Sequence, residues 1–521
     1  MTLRWDDAER TLDLGVRDLL ELGDRRARAA SAMSDRARMR AGAELHRALQ
    51  EDAEESEVGF HHSLVVREWT CTVHGRADLV VEEAGRTVVE EIKSTLLDGD
   101  GLAAAGAFPA WERQLAMYVC FAAAARRTDP IGRLRVVSLV DGAERIWSVA
   151  LDPGLEGWMR ARLEEAVLAR EERLAWAARR RSAGVAFAHD TVRDGQQGAI
   201  DAAEAAVSGG RHLLLVAPTG IGKTAAVLQG VLRAAARNGA RVWWVTARNT
   251  QQRLVEETAR EMARRGTPLR TVTIRAREKA CRRDGEACTP VDCPLLEPRP
   301  EAVEAALDQL RAVGTPDADV LAGVAARHRL CPYALAQDWA TRCDLVIADY
   351  NHAFDPEVRL RALLADAPRV VVVEEAHQLP ERAMEWGSPA IDTGVVNAVL
   401  EGLPDEPRWR PFRALAVRVG EAIAEAALLS TGEGGDGVVR VEANLRRWIG
   451  LRDEVDELGV AFAALRATLP PDSLFSASIE GADRWIELVR AVGRFTAALA
   501  RAGEETVDRK STRLNSSHSS V

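Results

Sequence analysis

The chain has 521 residues, 47% of them hydrophobic and 28% charged, and a net charge of −10. That length exceeds one ordinary hydrophobic core and calls for two to four domains, while the acidic balance excludes a protein that coats nucleic acid with its whole surface. No apolar run of about 18 residues occurs and the start, "MTLRWDDAERTLDLG", lacks a basic-then-apolar leader, so neither a membrane partner nor export is expected and the cytoplasm is the default location.

In chain order, residues 8 to 50 read as helical, with Leu at helical spacing among Ala, Arg and Glu. Residues 58 to 95 are rich in Val, Thr and Trp and broken at "EEAGR", which predicts three strands with a hairpin. "AWERQLAMYVCFAAAARR" predicts a helix, "LRVVSLV" and "RIWSVAL" two more strands, and residues 155 to 182 a long charged helix ending near a domain boundary at 184. Beyond it, "RHLLLVAPTGIGKTAAVLQGVLRAAA" reads as apolar strand, glycine loop and helix, "ARVWWVTARNTQQRLVEET" as strand then helix, and "RVVVVEEAHQLP" as a buried strand ending in acids. Apolar strands alternating with helices predict a doubly wound parallel α/β sheet. Residues 381 to 507 read as helical. The last residues, 508 to 521, are Ser-rich and resemble a translated adapter, so they are set apart as a non-native tail, with the natural protein expected to continue beyond them.

The chain holds four lysines, Lys93, Lys223, Lys279 and Lys510, against an arginine-rich background. Lysine is a compact point charge on a flexible stem, where arginine is a planar fork. Its retention hints at sites that the fork does not suit. In "TVVEEIKST", residues 87–95, strand alternation puts Glu91 and Lys93 on one side, and "HGRADLVV" puts Asp78 on a neighbouring strand. Such a set can hold Mg²⁺ or Mn²⁺ and activate water beside a phosphate; taken alone, it is also what a salt-bridged strand face looks like. His46 precedes these strands, and Gln114 and Tyr118 follow at helical i, i+4 spacing. The ordered set His46, Asp78, Glu91, Lys93, Gln114 and Tyr118 resembles the RecB-like branch of the PD-(D/E)xK nucleases. The resemblance implies a restriction-endonuclease-like domain over 1–183, metal ligation by His46, Asp78 and Glu91, a catalytic Lys93, and DNA placement by Gln114 and Tyr118.

"APTGIGKT", residues 217–224, fits a phosphate-binding loop with Ala217 in the first glycine's place. Gly220 and Gly222 let backbone N–H groups wrap phosphates, Lys223 reaches the β- and γ-phosphates of ATP, and Thr224 would ligate Mg²⁺. "VVVVEEAHQLP" resembles the Asp-Glu-Ala-His box of helicases, with Glu374 in the place of the Asp; that resemblance implies Glu375 as the general base and His377 as the residue that couples ATP state to nucleic acid. Arg193 and Gln196, in "VRDGQ", resemble the helicase motif that reads adenine, and Arg248, in "TARNTQQ", resembles the one that touches the nucleic-acid backbone. From Arg248 to Arg283, ten Arg and one Lys face four Glu; this is a solvated helix face or a phosphate-binding groove, and its neighbours favour the groove.

Seven cysteines without a leader argue against a disulfide framework. Cys281, Cys288, Cys293 and Cys331 follow C-x6-C-x4-C-x37-C, without the C-x2-C pairs of zinc ribbons. Four thiolates can hold a [4Fe–4S] cluster; zinc and free buried thiols are the other readings, and Cys71, Cys120 and Cys343 read as core. The motif order, "CPYALAQDW" and "DLVIADYNHAFDP" resemble the XPD/DinG family of iron–sulfur helicases. That resemblance implies a first RecA-like motor domain over 184–380 with the cluster inserted at about 270–335 near the DNA path and Lys279, an arch-like region over 381–507, and a DNA partner, single-stranded or branched; it names no protein partner. Neither a Ser-Ala-Thr segment nor a Q-x-x-G-R-x-x-R segment of a second motor domain is found. The expectation is therefore a helicase fused to a nuclease but lacking half its motor; a nuclease with a nucleotide-dependent DNA clamp and a non-enzymatic DNA-binding scaffold are the alternatives.

Overall fold

The computed structural model describes residues 3–22 and 56–501, apart from 84, 96, 98, 105–107, 127–128, 140, 219, 282–292, 298, 357, 361–362, 365–367, 429–444 and 469–479. Contacts divide the chain into two compact units: one holds Met1–Ser34, His61–Gly75 and Pro153–Ala383, the other Asp35–Phe60, Arg76–Asp152 and Met384–Val521.

Seven strands form a mixed sheet: β1 (Arg4–Asp6), β2 (Thr11–Gly15), β3 (Ser56–Val66), β4 (Trp69–Glu83), β5 (Arg86–Thr95), β6 (Ile131–Ser138) and β7 (Glu144–Val149). Their order is β1-β2-β4-β5-β6-β7, with β3 also on β4. The β4–β5 hairpin turns at Gly85, whose φ of 76° is open to glycine. Thr87 to Ile92 of β5 are all buried, as a strand covered on both faces requires. One sequence expectation fails here. "TLDLG", read as part of a helix, is β2, parallel to β4, with Leu12 and Leu14 fully buried. Its apolar residues are two apart, which is the strand period, and the ladder offered by β4 decides between the two readings.

Four strands, β8 (Arg241–Thr246), β9 (Thr271–Ile274), β10 (Leu345–Asp349) and β11 (Arg369–Val373), form an all-parallel sheet in the order β11-β8-β10-β9. Helices Lys223–Asn238 and Asn249–Arg264 cover it, and Leu228, Leu232, Val242, Trp244, Val255 and Ile347 share its core. This is the α/β alternation the sequence implied, with one difference. "RHLLLV" forms no strand, and Leu214 and Val216 are 81% and 87% exposed. A continuous apolar run becomes a strand only where a sheet edge satisfies its backbone groups, and no ladder among the described residues includes it.

The helix Leu155–Ala183 clusters with the residues that follow it rather than ending at a boundary near 184. Arg180 pairs with Asp344 at 2.8 Å, and Trp176 Nε1 donates to both Asp344 oxygens at 3.0 and 3.1 Å. In the other unit, the described residues beyond Met384 fall mainly in helices, as expected, with Trp409, Phe412, Trp448 and Trp485 in their core.

Two candidate phosphate-chemistry sites

The first site forms where β4, β5 and the helix Pro109–Arg126 meet. Asp78 Oδ2 accepts the backbone N–H of Ile92 at 2.7 Å, so the carboxylate lies against β5 between Glu91 and Lys93. Lys93 Nζ donates to Glu91 Oε1, the same oxygen that accepts from Gln114 Nε2 at 2.8 Å. Gln114 also donates to the Tyr118 hydroxyl at 3.1 Å. Glu91 is 2% exposed. Burial, then the charge of Glu91, push the Tyr118 phenol up to about 12. Asp78, Glu91, Lys93, Gln114 and Tyr118 are thus brought together from two strands and a helix. His46 lies outside the described residues. Among the described residues no group of three or more His, Cys, Asp or Glu is arranged to hold a metal ion; the acidic pair here has two members.

The second site sits at the edge of the parallel sheet. Gly220 and Gly222 have φ of 82° and 78°, the left-handed conformation that turns successive N–H groups inward. A Cβ on Gly222 would meet Gln196 Nε2 at 2.4 Å. Gln196 is buried: its side-chain oxygen accepts from the Arg193 N–H at 2.7 Å and its amide donates to the Ile221 carbonyl at 2.9 Å. The side chain expected to read adenine is therefore engaged in shaping the loop. Lys223 Nζ donates to the carbonyls of Ala217 and Pro218 at 2.8 and 3.2 Å, and Thr224 begins the next turn, 9% exposed. The loop and its ammonium have the chemistry to enclose phosphate, and the neighbouring acids the chemistry to hold its Mg²⁺.

Those acids follow β11. Glu374 continues the ladder, its N–H donating to Val245 O at 3.0 Å. Glu374 Oε2 accepts from Trp244 Nε1 at 2.9 Å. Burial raises the Glu374 pKa; the Trp244 hydrogen bond lowers it, the Glu375 charge raises it and the Lys223 charge lowers it. Glu375 sits at φ 53° and its carboxylate lies 3.3 Å from His377 Nδ1. The Tyr350 hydroxyl donates to the carbonyls of Glu374 and Glu375 and so clamps this strained turn. Neither Trp244 nor Tyr350 was among the residues the sequence singled out. The available signals were a tryptophan pair in a Val-rich strand and one of only three tyrosines.

The cysteines are partly gathered. Cys293 is buried with Leu296 and Ala334, and Cys331 packs against that cluster. Cys281 ends the turn Arg277–Ala280, from which Arg277 lies 5.3 Å over the Tyr333 ring; Cys288 lies outside the described residues. Much of the local positive charge is already paired: Arg260 with Asp317, Arg265 with Asp190 and Glu261, Arg270 with Glu172, and Arg275 with Asp319. Arg248 and Lys279 are exposed. The excess counted along the sequence is thus partly neutralised by acids brought from elsewhere in the chain.

The chain has partial similarity to several known proteins. The chain is 30% identical over 87 residues to the Fanconi anemia group J protein homolog of Gallus gallus, covering 17% of this chain and 7% of that protein. It is 27% identical over 101 residues to the regulator of telomere elongation helicase 1 homolog of Anopheles gambiae, covering 19% of this chain and 10% of that one. The chain therefore spans a small part of these relatives' lengths. A solved XPD helicase structure aligns over 60% of this chain and 52% of its own, at 13% identity and a TM-score of 0.37. Residues 249–395, which contain the cysteines from 281 to 331 and the acids Glu374 and Glu375, match the DEAD_2 family model.

Proposed function

We propose that the chain is part of an ATP-dependent DNA helicase that also carries a metal-dependent DNA nuclease and acts in DNA repair or processing. The observation that carries the motor reading is the left-handed glycine loop that leads into Lys223 and Thr224 at the start of a helix, with the acids Glu374 and Glu375 after β11 inside a region that matches DEAD_2. ATP would bind there, with Mg²⁺ held by Thr224 and Glu374 and water activated by Glu375. His377 would pass the nucleotide state on, and Arg248 and Lys279 would meet the DNA backbone. A 5′→3′ direction follows from family resemblance alone.

The nuclease reading is supported by the convergence of Lys93 and Gln114 on one oxygen of Glu91, with Asp78 one strand away. Glu91, Asp78 and His46 would supply ligands for Mg²⁺ or Mn²⁺, which when bound lowers the pKa of its water. Lys93 would hold the scissile phosphate or that water, and Gln114 and Tyr118 would hold the carboxylate and the DNA strand. Cys281, Cys288, Cys293 and Cys331 would hold a [4Fe–4S] cluster.

The test separates the two activities in one chain. Labelled single-stranded DNA should be cut with Mn²⁺ by the wild type and by Lys223→Ala, and at least a hundredfold more slowly by Lys93→Ala. A fluorescent ATP analogue should bind the wild type and Lys93→Ala but not Lys223→Ala. Absence of cleavage with every divalent metal tried would remove the nuclease, and binding unaffected by Lys223→Ala would remove the motor. Anaerobic preparations should contain iron and acid-labile sulfide; stoichiometric zinc in their place would overturn the cluster.

A further inference from the structure

We propose that Trp244 is a positioning residue for the nucleotide site: its indole N–H holds the Glu374 carboxylate where it can serve the Mg²⁺ of bound ATP. The inference rests on the nucleotide reading of the Gly220–Thr224 loop and adds a residue to it.

The argument begins with chain length. The acidic box here has Glu where the resembling motif has Asp, so the carboxylate rides on one more methylene and one more rotatable bond. A longer arm reaches further, and it also samples more rotamers that must be frozen before it can ligate a metal. An acid that must act at one point therefore needs an anchor. β8 supplies one. It pairs in parallel with β11, Trp244 opposite Val372 and Val245 opposite Val373, and the ladder extends one step to Glu374. That register sets the indole beside the first residue past β11, and the 2.9 Å bond from Nε1 to Oε2 follows.

The anchor is itself rigid. Trp244 is 2% exposed and packs with Ala225, Leu228 and Leu232 of the helix that opens at Lys223. The side chain that holds the acid thus shares a buried core with the helix whose N-terminus would receive the phosphates. An indole has a single donor and no acceptor, and that of Trp244 is directed to Glu374. Bonding through one oxygen leaves Glu374 Oε1 for the metal. Trp243, the neighbour on the opposite face of the strand, has no hydrogen-bond partner for its Nε1 among the described residues.

A purely packing role for the ring is the competing account, and a Mg²⁺ titration separates the two. The full chain is mixed with a fluorescent ATP analogue, and binding is followed as Mg²⁺ is added; Lys223→Ala is the control. If the wild type shows no Mg²⁺-dependent binding, or Lys223→Ala matches it, the nucleotide reading falls and the tether with it. With that reading in place, Trp244→Phe keeps the apolar ring and removes the donor. The Mg²⁺ concentration at half-saturation should rise about tenfold, the size expected for one hydrogen bond to a charged group, while affinity in EDTA stays as in the wild type. In a Glu374→Gln background Trp244→Phe should add nothing. An unchanged midpoint, or an equal rise in both backgrounds, overturns the proposal. If Trp244→Phe does not fold, β-(3-benzothienyl)alanine at position 244 answers instead, because it keeps the size of the bicyclic ring and replaces the N–H by sulfur: a raised midpoint supports the tether and an unchanged one overturns it.

Discussion

Single side chains set the chemistry of both sites, and Tyr118 shows how tightly the first is drawn. Its phenol is 4% exposed, bonded to Gln114 and close to the charge on Glu91. Burial is the largest cause of its rise to about 12 from an ordinary 10.0. Below pH about 10 the folded and unfolded chains both keep the proton; as pH rises further the unfolded chain releases it first, and the stability contributed by the protonated phenol is lost on the way to about 12. Urea denaturation at about pH 8 and about pH 11 should therefore show a loss in the wild type that is smaller in Tyr118→Phe, by about 1 kcal/mol. Equal losses would mean that the phenol is not held in the fold as described. Spacing made Glu91, Lys93, Gln114 and Tyr118 visible in the sequence, because strand and helix periods put such residues on one face. Trp244 escaped notice because its partner is 130 residues away.

Among the elements, the helix after the Gly220–Gly222 loop is held at very close quarters. A Cβ on Gly230 would lie 2.3 Å from the Ile200 carbonyl and 3.0 Å from Ala203 Cβ, so the helices Gln196–Ser208 and Lys223–Asn238 can approach only over glycine. Alanine is the better helix former by about 1 kcal/mol, yet the overlap with backbone leaves nowhere to put the methyl. Gly230→Ala should lower stability by about 1–3 kcal/mol, read from the denaturation midpoint; a more stable variant would show that the helices have room to part. Elements with a strong period were legible, as in the β4–β5 hairpin and the helix Leu155–Ala183. "TLDLG" and "RHLLLV" were not, since whether a short apolar run becomes strand depends on an edge supplied from far along the chain.

At the scale of the whole molecule, the helix Leu155–Ala183 makes two sets of bonds. Arg170 and Glu171 bond to Asp7, Arg67 and Trp69, while Glu172, Trp176 and Arg180 bond to Arg270, Arg311 and Asp344. All of these lie in one compact unit. Arg180 and Asp344 are 7% and 4% exposed, and losing Arg180 removes the main countercharge of a buried carboxylate that keeps only its Trp176 and Arg270 contacts. Arg180→Ala should therefore cost about 3–5 kcal/mol, measured by chemical denaturation; a cost within about 0.5 kcal/mol would show that Asp344 does not depend on it. The sequence placed a boundary near 184, where composition changes. It could not show that Trp176 and Asp344, 168 residues apart, share a hydrogen bond.

The sequence by itself determined which chemical groups are present and which of them share a strand face, a helix face or a loop: Glu91 with Lys93, Gln114 with Tyr118, Lys223 with Gly220 and Gly222. These relations span a few residues, and the fixed geometry of helix, strand and turn is enough to draw them. Only the tertiary structure decided that Asp78 and Gln114 converge on the Glu91–Lys93 face, that Gln196 shapes the loop, that acids neutralise much of the basic stretch, and that an indole holds Glu374. Such contacts depend on sheet register and on packing between segments far apart in the chain, and no local period encodes either.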